Sequence, residues 1–99
     1  MREYWEPIPG YPEYEVSNRG NVCHLHRKNL LRPKISKHGH QQVRLYRPDG
    51  IGSRFRVDWL VLNAHTLFDG RQHTFFHRDG DPTNCRLSNL DYTDLEQDA

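Results

Sequence analysis

The sequence predicts an α+β fold of short antiparallel hairpins with one packed helix, and three observations predict it. Gly, Pro and Asn interrupt the 99 residues at short intervals, leaving little room for long helices. Two central segments alternate apolar and polar residues with period 2, and the stretch after them changes to the 3.6 period of a helix. At 11.8 kDa the chain fits one compact domain, with segments dividing at 1–26, 27–70 and 71–99.

Residues 1–26 hold an aromatic-rich turn followed by a hairpin. Asn18-Arg19-Gly20 supplies the tight connection, because Asn and Gly tolerate positive φ. Trp5, Tyr11 and Tyr14 are expected to pack a small core, base stacking being the other use open to them.

Residues 27–70 begin with the alternating pair Val43–Arg47 and Ile51–Val57, joined by the turn tripeptide Pro48-Asp49-Gly50. Alternation assigns Val43, Leu45, Ile51, Phe55 and Val57 to the inner face and Arg44, Arg54 and Arg56 to the outer one. Val57, Leu60, Val61, Ala64 and Phe68 then share a stripe, with Asp58 as N-cap and Gly70 past the end. A helix over 59–68 follows, with Trp59 and Leu62 off its stripe.

Charge is distributed unevenly behind a net of +1. Residues 19–56 carry ten Lys and Arg against Asp49 alone, a block of +9, while 1–18 sum to −3 and 57–99 to −5. Such a block suits a polyanion, so Lys34, Lys37, Arg44, Arg47, Arg54 and Arg56 are the candidate nucleic-acid contacts. With 34% hydrophobic residues and a mean hydropathy of −0.98, no segment reaches the roughly 18 apolar residues of a membrane span. The first residues lack a secretory apolar region, which makes an intracellular site the expectation. Cys23 and Cys85 are then expected as free thiols. Two His-x-His pairs, His24/His26 and His38/His40, would bind zinc if neighbouring strands brought them to one face, although histidines in a basic surface also suit phosphate.

The segment from His73 to Thr93, with His77, Asp79-Gly80-Asp81-Pro82, Asn84 and Ser88-Asn89-Leu90, resembles the HNH endonuclease motif. Trp5 to Val22 resembles the short N-terminal module that precedes such motifs in phage and intron-encoded nucleases. The resemblance implies a ββα-metal ending, with His77 as general base, Asn89 orienting its imidazole, and Asp98 on a terminal helix as ligand to a divalent metal, Mg²⁺ or Mn²⁺. Where many members carry Asp or His as first metal ligand this chain has Phe76, and Cys85 and Tyr92 replace a usual Asn and Trp. Weak metal affinity is therefore expected, or compensation by Asp79 or Asp81.

Two functions follow from the resemblance. One is a small phage-type endonuclease that binds double-stranded DNA and nicks it with a divalent metal. The other is a decayed HNH scaffold, serving as a DNA-binding accessory or as a phage inhibitor with a protein partner.

Overall fold

The computed structural model describes residues 2–27 and 29–95. Among these residues, three small antiparallel sheets surround one α-helix. The first sheet has the order β1-β2-β3-β4, from Trp5–Ile8, Tyr11–Ser17, Val22–His24 and Asn29–Leu30. The second joins β5 (Lys34–Ile35), β6 (Gln41–Tyr46) and β7 (Gly52–Arg56), and runs directly into α1 (Val57–His65). The third pairs β8 (His73–His77) with β9 (Leu90–Asp94), separated by a loop that ends in a 3₁₀ turn at Leu87–Asn89.

The core forms where the apolar side of each element meets α1. Val57, Leu60, Val61 and Leu62 are at most 1% exposed and pack with Val16, Val22, Val43 and Leu45, each such burial contributing about 1.5–3 kcal/mol. Polar ties fix the layers against each other. The Tyr14 hydroxyl accepts the Tyr46 N–H at 3.2 Å, which joins the first two sheets, and His65 Nε2 lies 2.9 Å from the Val16 carbonyl oxygen. Tyr11 meets Phe55 edge-on, Phe55 stacks on Trp59, and Tyr14 is buried, so these two N-terminal tyrosines are core material, whereas the half-buried Trp5 lies outside the core cluster.

Asn18 locks the first module to the last. Its backbone N–H donates to the Tyr4 carbonyl, its Oδ1 accepts the Tyr4 N–H at 2.8 Å, and its carbonyl accepts the Leu87 N–H at 2.8 Å. Two residues on, Gly20 sits at φ +84°, and a Cβ there would lie 3.0 Å from the Cys85 Cβ. This turn thus needs glycine for its backbone and for the loop pressed against it.

The helix differs from its sequence expectation. It starts at Val57 and ends at His65, capped by Thr66, whose N–H and hydroxyl both donate to the Leu62 carbonyl. Asp58 is therefore inside the first turn, Phe68 is a buried loop residue, and Gly70 is no cap. Leu62 is buried although off the stripe, because sheets meet this helix on several sides. Ile51, expected to point inward, is 56% exposed beside the turn, since β7 begins only at Gly52.

Candidate functional site

The second sheet presents a basic face that its register makes continuous. Lys34 pairs with Gln42, Gln42 with Arg56 and Arg44 with Arg54, so all four charged side chains share one side while Val43, Leu45 and Phe55 take the other. Arg44 and Arg54 are exposed and directly opposed, a like-charge pair that costs about 0.2–1 kcal/mol in the free sheet. No carboxylate among the described residues pairs with either of them. Beside them runs a groove of about 760 Å³, lined by Arg32, Lys34, Lys37, His38, Arg44 and Arg54 among others. Arg44 and Tyr46 both lie over Gly52, where a Cβ would fall 2.8 Å from the Arg44 Nε.

Two of the expected phosphate contacts have other partners. Arg47 is held by Asp49 within its own turn, which raises the Arg47 pKa and lowers that of Asp49 through the shared hydrogen bond. Arg56 forks onto Asp58, with Nε 3.1 Å from Oδ1 and Nη2 2.7 Å from Oδ2, and it lies over the Phe75 ring. Its charge is thus turned toward the neighbouring hairpin instead of outward.

That hairpin brings in His77. Inner positions of β8 alternate His73, Phe75 and His77, opposite Asp94, Tyr92 and Leu90 of β9. The His77 side chain is only 10% exposed, and its Nε2 lies 3.1 Å from Asp58 Oδ2, at ion-pair distance but without hydrogen-bond geometry. Asp58 is 1% exposed. Arg56, Asp58 and His77 thus form a connected line from the end of the basic face into the hairpin. His40, whose Nδ1 is likewise buried without a hydrogen bond, stands within electrostatic reach, and burial lowers its pKa, with the Arg56 charge adding to the effect.

The loop after His77 is braced by carboxylate and amide groups. Asn89 Nδ2 donates to Asp79 Oδ1 at 2.9 Å and to the Asn84 carbonyl at 3.0 Å, while its Oδ1 accepts the Asp79 N–H. The Asn89 amide, expected to orient His77, is instead engaged by the loop. Asp79, expected as a metal ligand, accepts Asn84 Nδ2, the Asp81 N–H and Asn89 Nδ2, which hold its carboxyl below the usual carboxylate range. Phe76 faces the opposite side of the hairpin, 46% exposed and paired with Asp91, which is bridged to Arg78 at 3.0 Å. Asp98 lies outside the described residues, and so does any helix that would carry it.

A metal ion does not fit the described residues alone. No three His, Cys, Asp or Glu side chains among them converge on a common point, and the oxygens of Asp79 already accept hydrogen bonds. The two His-x-His pairs are separated as well. His24 Nδ1 accepts the His26 and Arg27 N–H groups in the first sheet, whereas His40 belongs to the surroundings of Asp58 and His77. Asp58 and Arg32 are the site residues that sequence reasoning missed. Asp58 read as a helix cap, and nothing in the spacing marks it as a neighbour of His77, 19 positions on.

The chain is similar to known proteins in sequence and in fold. Residues 3–46 match the NUMOD4 motif, and the chain is homologous to an HNH homing endonuclease. One relative is the DNA endonuclease I-HmuI of Bacillus phage SP01, 33% identical over 89 residues that cover 87% of this chain and 49% of I-HmuI. A solved structure describing DNA binding and cleavage by the HNH homing endonuclease I-HmuI aligns with a TM-score of 0.83 at 29% identity, over 92% of this chain and 52% of that one. The chain therefore spans about half the length of the relative it matches. No helix among the described residues is long and apolar enough to cross a membrane.

Proposed function

We propose that this chain binds double-stranded DNA on the face of the second sheet and hydrolyses a phosphodiester bond at His77, nicking one strand per site. The observation that carries the reading is continuity: the cations Lys34, Arg44 and Arg54, unpaired among the described residues, share a sheet side with Arg56, which leads through the buried Asp58 to His77. A duplex backbone lying on that face delivers a phosphate to the histidine. His77 takes a proton from water, and the resulting hydroxide attacks phosphorus as the leaving oxygen departs with its bonding electrons. A divalent cation, Mg²⁺ or Mn²⁺, belongs to this reading. Asp98 and phosphate oxygens would hold it, and it would stabilise charge developing on the phosphate. With so few protein ligands, its affinity in the absence of DNA is expected to be weak. Phage DNA inside a bacterial cell is the substrate environment that homology to a phage enzyme suggests.

The test is a supercoiled-plasmid assay with Mg²⁺ or Mn²⁺ supplied singly, comparing the parent with His77→Ala. Nicked circles from the parent alone support the reading. Equal nicking by both, or none with either metal, rejects it, and DNA binding without nicking would identify a binding protein on the same scaffold.

A further inference from the structure

Lone pairs around Asp58 point to a role that its position in a helix turn does not require. Its Oδ1 accepts both Arg56 Nε at 3.1 Å and the Trp59 N–H at 2.7 Å, and its Oδ2 accepts Arg56 Nη2 at 2.7 Å. One acceptor direction on Oδ2 remains, and His77 Nε2 stands 3.1 Å away. Asp58 is 1% exposed and His77 Nε2 is itself buried, so water is a poor substitute partner at their contact. An ionised carboxylate has no donor of its own, so it can satisfy a facing ring nitrogen only when that nitrogen carries the proton. Nε2 has no hydrogen bond to any described residue, and Asp58 Oδ2 is the acceptor at ion-pair distance from it.

We propose that Asp58 is the positioning residue of His77: its carboxylate fixes the Nε2–H tautomer, leaving Nδ1 with the lone pair that accepts the proton. The inference rests on the reading of His77 as general base, and it adds which nitrogen acts and what holds it. When water gives its proton to Nδ1, the O–H bonding pair stays on the hydroxide that attacks phosphorus. The P–O bond breaks toward the leaving oxygen, which takes a proton from solvent. The imidazolium then lies against Asp58, whose charge stabilises it, and Arg56 keeps that carboxylate from rotating away. His40 and Cys85 are the other titratable groups around Asp58. Burial, helped by Arg56, disfavours the charged imidazole of His40, and burial pushes the Cys85 thiol up to about 12, so Cys85 stays an uncharged thiol beside Asp58 at neutral pH.

Nitrogen-15 labelling of histidine, with His77→Gln to assign the His77 signals, reads the tautomer directly at mildly alkaline pH. The parent is expected to carry its proton on Nε2. In Asp58→Asn the amide can turn its N–H₂ toward the ring, so the population should move to Nδ1–H, with nicking slower by about 10²–10³-fold and DNA affinity within about twofold. An Nδ1–H tautomer in the folded parent overturns the proposal without recourse to a variant. So does an Asp58→Asn chain that keeps the parent tautomer, or one that cleaves at the parent rate. The tautomer needs no catalysis to be seen. A switch in a chain that never nicks would support the Asp58 pairing and sink the nuclease reading, whereas a nicking parent with the wrong tautomer would sink the pairing alone.

Discussion

Replacing Arg44 and Arg54 together by Gln separates phosphate binding from every other role of the second sheet. The groove and face offer five cations without a carboxylate partner among the described residues: Arg32, Lys34, Lys37, Arg44 and Arg54. If each neutralises one phosphate, the logarithm of affinity falls against the logarithm of salt with a slope of about −4.5, or about 500-fold between 50 and 200 mM. The double variant retains three contacts, a slope of about −2.7 and a loss of about 40-fold over the same range. The gap between the two proteins therefore widens by about 12-fold on dilution from 200 to 50 mM salt. Fluorescence anisotropy with a short duplex and a chelator measures this without cleavage. The same variant removes the directly opposed Arg pair, so its melting temperature should not fall below the parent's. A salt slope within about 0.5 of the parent value would refute the assignment of this face to DNA.

Four further outcomes follow from the site. Arg56→Gln leaves the 1%-exposed Asp58 without its cation and should destabilise the fold by about 2–3 kcal/mol in urea titration, less than for a fully buried pair because water reaches the 37%-exposed Arg56. An unchanged midpoint would show that Asp58 needs no partner. Cys85 is buried at 4% exposure with a pKa pushed up from 9.0 to about 12, chiefly by burial and then by the Asp58 charge, so a thiol reagent should titrate only Cys23 in the native protein and both in denaturant. The unfolded thiol ionises near 9.0 while the folded one keeps its proton to about 12. The contribution of this group to stability is thus complete below pH 9.0 and lost as pH rises toward 12, and Cys85→Ala should flatten that alkaline decline. Phe76→Asp places a carboxylate on an exposed strand position opposite Asp91, and calorimetry should find Mn²⁺ binding at least about 10-fold tighter than in the parent. No gain would remove position 76 from consideration as the missing ligand.

Local chemistry made much of this protein legible before any coordinates. Turn residues placed the hairpins, since Gly20 and Gly50 sit at φ +84° and +87° where Asn-Arg-Gly and Pro-Asp-Gly occur. Strict alternation placed Arg44, Arg54 and Arg56 on one side of the sheet, because a side-chain period of two leaves no freedom once Val43 and Leu45 are buried. His77 could be proposed because the segment that resembles the motif is contiguous. The two-residue strands β4 and β5 carry too little pattern to be seen, and they exist only because β3 and β6 offer open edges.

Tertiary packing decided the rest, for a common physical reason: side-chain partners are chosen by proximity across elements, which sequence spacing does not encode. Arg56 looks like one more outward guanidinium until α1 brings Asp58 under it. Asp58 looks like a helix cap until the hairpin of β8 and β9 sets His77 3.1 Å from its free lone pair. Asn89 looks like a partner for that imidazole until the loop folds and Asp79 and Asn84 claim its amide. The sequence carries the charge, the alternation and the histidine, whereas the 3.1 Å approach of Asp58 to that histidine arises only when the β8–β9 hairpin packs against α1.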